Sequence, residues 1–398
     1  MLVLVALAGL ARAQDFTALA RIDPEGSVIA DDGQGVGLTL YLSQAVPWRI
    51  FTLDAPMRLV IDFREVDWRG LTREGVAQSA AVADLRFGTL RPGWSRMVVE
   101  LARPLTLSTA EMAVGKTDGT AVLRVRLDPS TAEAFTAAAG APPDPGWDAL
   151  AALDVTPPPD PAPPGRLVVA IDPGHGGIDP GAERDGLAEA QLMLQLGLEL
   201  AEAVNRTGTM TAVLTRSSDV FVPLSQRMTI ARAAGADVLI SLHADALEDD
   251  AARGASVYTL TEEAADQASA RMAERHDRGD LLAGVDLAGQ DDTVAMALQD
   301  LARLETAPMS DRLAEALVQG LRDAGARVNG HPRRQGPLAV LNAADFPSVL
   351  VETGFLSDDA DRGALSTAEG RGKIVAGIVA ALTLWSADEA ARAELLRQ

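Results

Sequence analysis

The 398-residue chain has no cysteine, which rules out disulfides and any metal centre built on thiolates, and leaves redox uninformative about compartment. Basic residues are also short in supply. Thirty-five Lys and Arg stand against 56 Asp and Glu, a formal net charge of −21, which argues against binding nucleic acid or an anionic membrane through a general electrostatic field. An anionic polymer would have to be recognised locally. After the first ten residues no apolar stretch approaches the roughly 20 residues needed to span a bilayer, so no membrane span is expected. There are four histidines in all. The length leaves room for two or three domains and a substantial core.

Leu2-Val-Leu-Val-Ala-Leu-Ala-Gly-Leu10 followed by Ala11-Arg12-Ala13 has the form of an apolar leader and a small-x-small cleavage site, predicting a signal peptide over 1–13. The alternative is a buried N-terminal strand. Residues 15–133 alternate in short runs, such as Gly37-Leu-Thr-Leu-Tyr-Leu42 and Ser95-Arg-Met-Val-Val-Glu-Leu101, separated by Gly/Asp/Pro turn signals. These predict a small antiparallel all-β domain. Residues 134–165 shift to Ala and Pro, ending in Pro157-Pro-Pro-Asp-Pro-Ala-Pro-Pro164, an extended spacer. Trp147 docks on a neighbour or stays exposed there. From 166 to 386 strands alternate with helices: strands 167–172, 211–215, 237–242, 254–260, 338–341 and 348–352, and helices near 187–205, 224–234, 310–325 and 367–385. That rhythm predicts an α/β domain with a largely parallel sheet flanked by helices, and a tail over 387–398.

Val/Ile/Leu runs suit a sheet covered on both faces, and ligand sites of such sheets lie beyond the carboxyl ends of the strands. His175 follows the run 167–172, His243 follows 237–242 and Glu352 follows 348–351, so all three fall on one rim. Glu189 opens the helix after the first strand and can reach back over it. Three N or O ligands with an open position are what a catalytic zinc requires, and a carboxylate beside it can act as general base. Each residue alone has a plainer reading: a structural His at a strand end, or an acid complementing a helix dipole. A carboxylate ending the apolar run Val349-Leu-Val351 is harder to place without a cation or a perturbed pKa. Asp172-Pro-Gly-His-Gly-Gly-Ile-Asp-Pro-Gly181 brackets His175 with glycines that let backbone pass close to a metal or substrate, and it matches neither nucleotide-binding pattern.

The segments Val169-Ala-Ile-Asp-Pro-Gly-His-Gly-Gly177, Leu214-Thr-Arg216, Ile240-Ser-Leu-His-Ala-Asp245, Arg253-Gly-Ala-Ser-Val-Tyr-Thr-Leu260 and Pro347-Ser-Val-Leu-Val-Glu-Thr-Gly-Phe-Leu-Ser357 resemble those of zinc-dependent N-acetylmuramoyl-L-alanine amidases of the cell-separation type. Residues 15–133 resemble, more weakly, the AMIN domain that accompanies them. The resemblance implies that His175, Glu189 and His243 hold zinc and that Glu352 is the catalytic carboxylate. It also implies a periplasmic enzyme that cleaves the amide between N-acetylmuramic acid and L-alanine in peptidoglycan at cell division. The chain departs from the family at Ala190-Gln191, usually Lys-Asp, and at Asp358, usually Asn, which leaves local packing and substrate contacts in question. The competing reading is a catalytically silent peptidoglycan-binding or divisome scaffold, and a third is a zinc peptidase acting within the stem peptide. Arg216, Asp245 and Asp179 serve either substrate contact or structural hydrogen bonds.

Residues 261–308 form an insertion far longer than the loops of compact domains. Ala268, Met272 and His276 share one helical face, and Val294, Ala297, Leu298, Leu301 and Leu304 form an apolar stripe. Packing against the sheet is one explanation. By the resemblance, an inhibitory helix here covers the site with His276 (or the nearby Glu274) as an extra zinc ligand, until a coiled-coil activator withdraws it.

Overall fold

The computed structural model describes residues 20–396 apart from 65, 92–93, 116–118, 142–164, 247–252, 262–268, 271–292 and 344. The expected signal peptide, most of the linker including Trp147, and Ala268, Met272, Glu274 and His276 lie outside the described residues. So do the side chains of the stripe at 294–304.

The N-terminal part has eight main strands: β1 (Val28–Asp32), β2 (Gly35–Leu42), β3 (Trp48–Leu53), β4 (Arg58–Arg64), β5 (Val82–Arg91), β6 (Trp94–Leu101), β7 (Leu105–Val114) and β8 (Ala121–Pro129). They form two antiparallel sheets, ordered β1-β2-β8-β7 and β3-β4-β6-β5. Along β2 Leu38, Leu40 and Leu42 are buried while Tyr41 is exposed, the period of two expected of a strand with one wet face. These leucines share one core with Leu59, Ile61 and Phe63 of β4 and Met97 and Val99 of β6. Helix α1 (Ala132–Ala138) runs on into the span that composition assigns to the linker. Thr131 caps it, its hydroxyl accepting from the Ala134 N–H at 3.2 Å, and Phe135 drops into the β core. One buried aromatic thus extends the β domain past its last strand.

The second part is a mixed six-stranded sheet of β9 (Leu167–Pro173), β10 (Met210–Leu214), β11 (Val238–His243), β12 (Ala255–Leu260), β13 (Val328–Gly336) and β14 (Ser348–Glu352), in the order β10-β9-β11-β14-β12-β13. All neighbours are parallel except β12 and β14. The chain runs from β9 to β10 on one side and then crosses to β11 on the other. This reversal opens a crevice at the carboxyl ends of β9 and β11.

Helices α2 (Glu189–Arg206), α3 (Leu224–Ala233), α4 (Thr293–Asp323), α5 (Asp359–Ser366) and α6 (Ala368–Leu396) accompany the sheet. α2 buries Leu192, Met193, Leu196, Leu200 and Val204 at three- and four-residue intervals, in one core with Val169, Ile240 and Val351 of the sheet.

Several elements differ from expectation. β13 carries Arg333, Arg334 and Gln335 with Pro332 and reads as a loop, because an edge strand tolerates charge and proline. Residues 339–341 form a 3-10 turn, not a strand. α5 is capped by Asp358, whose carboxylate accepts the Ala360 and Asp361 N–H groups at 3.0 Å; the departure at 358 thus supplies a helix cap. α6 runs through most of the expected tail, and Glu389 pairs with Arg312 of α4 at 2.8 Å. Within Ala368–Ala393 an 18-residue window of this helix reaches a mean hydropathy of 1.4, enough by length and composition for a membrane span, contrary to the expectation that no such stretch exists. Its Ile374, Val375, Ile378, Ala381, Leu382 and Trp385 pack into the α/β core, which accounts for the apolar composition.

Candidate metal centre and active site

The loop after β9 is clamped before it reaches the site. The Gly174 N–H donates to the Leu242 carbonyl at 2.9 Å. The buried Arg216 guanidinium donates to the carbonyls of Pro173 (2.8 Å), Gly174 (2.7 Å) and Ala190 (2.8 Å), and Arg227 to those of Pro173 (2.8 Å) and His175 (2.9 Å). His175 is held in the left-handed region, φ +59°, unusual for a residue with a side chain and typical of strained functional positions.

The turn aims its ring at the crevice. His175 Nδ1 lies 2.8 Å from Asp179 Oδ2, and Nε2 lies 3.2 Å from Glu189 Oε2. The other Glu189 oxygen is 3.1 Å from His243 Nδ1. Backbone N–H groups of Ala182 (2.9 Å) and Ala244 (2.8 Å) fix the same carboxylate, and the two imidazoles meet edge to face with centroids 4.9 Å apart. One ligand atom from each of His175, Glu189 and His243 lies within 4.8 Å of the others.

Burial by itself would lower the His175 pKa, but Glu189 and Asp179 outweigh it and hold the imidazole well above its ordinary value. Burial would likewise raise Glu189, and the two imidazoles instead hold it well below the usual range. Three groups so close together could hold a shared cation. Two imidazoles and a carboxylate are the N/O donor set of a catalytic zinc. The backbone is cut to fit: a Cβ on Gly174 would lie 2.3 Å from the His243 ring, and one on Gly181 would lie 2.7 Å from both Glu189 Oε2 and His175 Cδ2.

Glu352 ends β14, in register with His243 on one side and Ser256 on the other, so three strands put these residues in one row. It is fully buried and accepts the Asp245 N–H at 3.1 Å. Burial, and then the nearby Glu189 charge, push its carboxyl up to about 7, where a carboxylate can take and return a proton near neutrality.

Arg216 acts here through structural hydrogen bonds, and Asp245 contributes its backbone N–H to Glu352 and its side chain to the Ala246 N–H at 2.6 Å. Asp179 orients His175. Of the departures, Ala190 is buried against this loop and Gln191 is exposed. Sequence reasoning missed Arg86, Arg227 and the buried Asp172. Asp172 accepts from Arg227 (2.8 Å), Thr215 (2.6 Å) and Ser241 (2.7 Å), ties that join residues far apart in the chain and leave no local pattern. Asp172→Ala is expected to destabilise the fold by about 3–5 kcal/mol, because it strands a buried guanidinium. A denaturant titration checks it.

The family model described as N-acetylmuramoyl-L-alanine amidase matches residues 169–384, and the AMIN domain model matches 28–127. The N-acetylmuramoyl-L-alanine amidase AmiC of Neisseria meningitidis is 33% identical over 377 residues, covering 89% of this chain and 86% of the relative. AmiA of Escherichia coli is 36% identical over 216 residues, 54% of this chain and 74% of its own. Among solved structures, AmiC2 of Nostoc punctiforme aligns with 56% of this chain and 97% of its own at 24% identity and a TM-score of 0.40. The chain belongs to the N-acetylmuramoyl-L-alanine amidase family and carries an AMIN domain ahead of its amidase domain.

Proposed function

We propose that this chain hydrolyses the amide between the lactyl group of N-acetylmuramic acid and the L-alanine of the stem peptide, using one zinc ion held by His175, Glu189 and His243. The observation that carries this reading is the convergence of three N/O ligand atoms within 4.8 Å, with Glu352 buried one strand away. Bound there, zinc supplies Lewis acidity toward a carbonyl oxygen and toward water. Glu352 takes the proton of the attacking water and hands it to the departing amine, a round trip suited to a carboxyl whose burial raises its pKa above the ordinary carboxylate value. Asp179 holds the proton on His175 Nδ1 and so keeps Nε2 available as a ligand. The glycine-lined loop excludes side chains from the space over the ligands.

Digestion of purified cell wall is the direct test. Intact stem peptides and unsubstituted glycan are expected. Fragments cut within the peptide would indicate a peptidase, and no release at all would favour a silent scaffold.

The reading extends to a periplasmic enzyme of daughter-cell separation, supported by the apolar run 2–10 with its small-x-small site and by the amidase family membership. It also includes a brake: the 261–308 insertion places His276, or Glu274, on the zinc until a coiled-coil activator draws the helix away. His276→Ala is expected to raise turnover without activator. Unchanged basal turnover on purified wall would rule out His276 as the brake.

A further inference from the structure

The β domain meets the amidase domain on the His175 loop. On β5, Arg86 Nη1 donates to Asp179 Oδ1 at 2.8 Å, and the second Asp179 oxygen is the one 2.8 Å from His175 Nδ1. Arg86 is itself fixed: its Nε donates to Asp84 Oδ2 at 3.0 Å, and Asp84 also takes Arg73 at 2.6 Å. Three residues along β5 the Thr89 carbonyl accepts the Ile178 N–H at 3.2 Å. Gly177, φ +58°, permits that approach, since a Cβ there would sit 1.8 Å from the Thr89 oxygen. Beside it, Leu90 and Val98 of the β domain pack on Ile178 and Phe221. An ion pair, a backbone hydrogen bond, a glycine contact and an apolar cluster thus all land on residues 177–179 and 221.

We propose that Arg86 is a positioning residue for the metal site: through Asp179 it sets the orientation of His175, so the β domain completes the amidase site from outside the catalytic domain. The inference rests on the reading of His175 as a zinc ligand. An imidazole that ligates through Nε2 keeps its proton on Nδ1, and the acceptor of that proton must not rotate. Asp179 is 4% exposed, and a carboxylate so buried needs a counter-charge. Without Arg86 its Oδ1 keeps, among the described residues, the long 3.3 Å bond from the Gly181 N–H. The carboxylate then swings, and the ring it holds swings with it. Lys in place of Arg offers a point charge that cannot reach Asp84 and Asp179 in the same fork.

The full-length zinc-loaded chain tests this. Zinc affinity is measured by chelator competition for wild type, Arg86→Gln and Arg86→Lys, and the His175 Nδ1–H resonance is followed by NMR. Arg86→Gln is expected to weaken zinc about tenfold and to shift or broaden that resonance, with Arg86→Lys recovering part of both. Should Arg86→Gln fail to fold, Asp84→Asn, which loosens Arg86 without removing it, is expected to weaken zinc by a smaller factor. A folded Arg86→Gln, or in its stead Asp84→Asn, with wild-type zinc affinity and an unmoved resonance overturns the proposal. If wild type takes up no zinc, the metal reading fails, and the resonance alone then decides whether Arg86 positions His175.

Discussion

Glu352→Gln is expected to cut peptidoglycan hydrolysis by about 10²–10⁴-fold while leaving zinc content unchanged, the size usual for losing a positioned acid–base group. Glutamine keeps the shape of the side chain and its place beside the Asp245 N–H, but it neither accepts nor returns a proton. Glu352 neighbours the three proposed ligands without belonging to the group that converges on one point, so metal uptake is expected to survive the change. Muropeptide release and metal analysis on the same preparation check it. A variant that keeps activity within tenfold of wild type would remove Glu352 from the proposed mechanism.

The pH profile gives the same residue a second readout. A base works only when ionised, so hydrolysis falls as pH drops through the Glu352 pKa. Burial raises that value from the ordinary 4.5 to about 7, and a bound cation pulls it back down. The acid limb of wild type is therefore expected between these two values, and the residual activity of Glu352→Gln is expected to lack it. The buried carboxyl also bears on stability. Its folded pKa lies above the unfolded one, so the metal-free fold loses stability as pH rises from 4.5 toward 7, and glutamine removes that loss.

The rim itself is legible in the chain. Runs such as Val238–Leu242 and Ser348–Val351 are mostly Val, Leu and Ile and buried at every position because both faces of their strands are covered, and the ionisable residue that follows each run falls at the crevice. What is not legible follows from two causes. β13 has the composition of a loop because its edge position asks little of its side chains, and α5 is short enough that its cap outweighs its periodicity. Contacts across the domain boundary are the other blind spot: Arg86 and Asp179 stand 93 positions apart, and nothing in the β run 82–91 distinguishes a guanidinium bound for another domain from one on a solvated face. The helix after 368 has a composition that half-buried core helices and membrane spans share, so composition alone does not separate the two.

Removing the metal is expected to destabilise the chain in a pH-dependent way that separates the zinc site from an ordinary buried cluster. In the metal-free chain His175 is held protonated well above its usual value by Glu189 and Asp179, so zinc must displace that proton to bind. Its apparent affinity therefore falls as pH drops, and uptake in weak buffer releases protons. The stability lent by protonated His175 is fully present below its ordinary pKa of 6.5 and is lost as pH rises through the raised one. Glu352 works in the same direction over its own window, so the metal-free fold weakens toward alkaline pH while zinc binding strengthens. The gap in Tm between zinc-loaded and chelator-treated protein is accordingly expected to widen from about pH 5 to pH 8. Zinc at a hundred times its Kd adds about 2.7 kcal/mol. His243→Ala removes one imidazole from the ligand set and is expected to abolish both the gap and the hydrolysis. A Tm gap that persists unchanged in His243→Ala would place the bound metal elsewhere in the molecule.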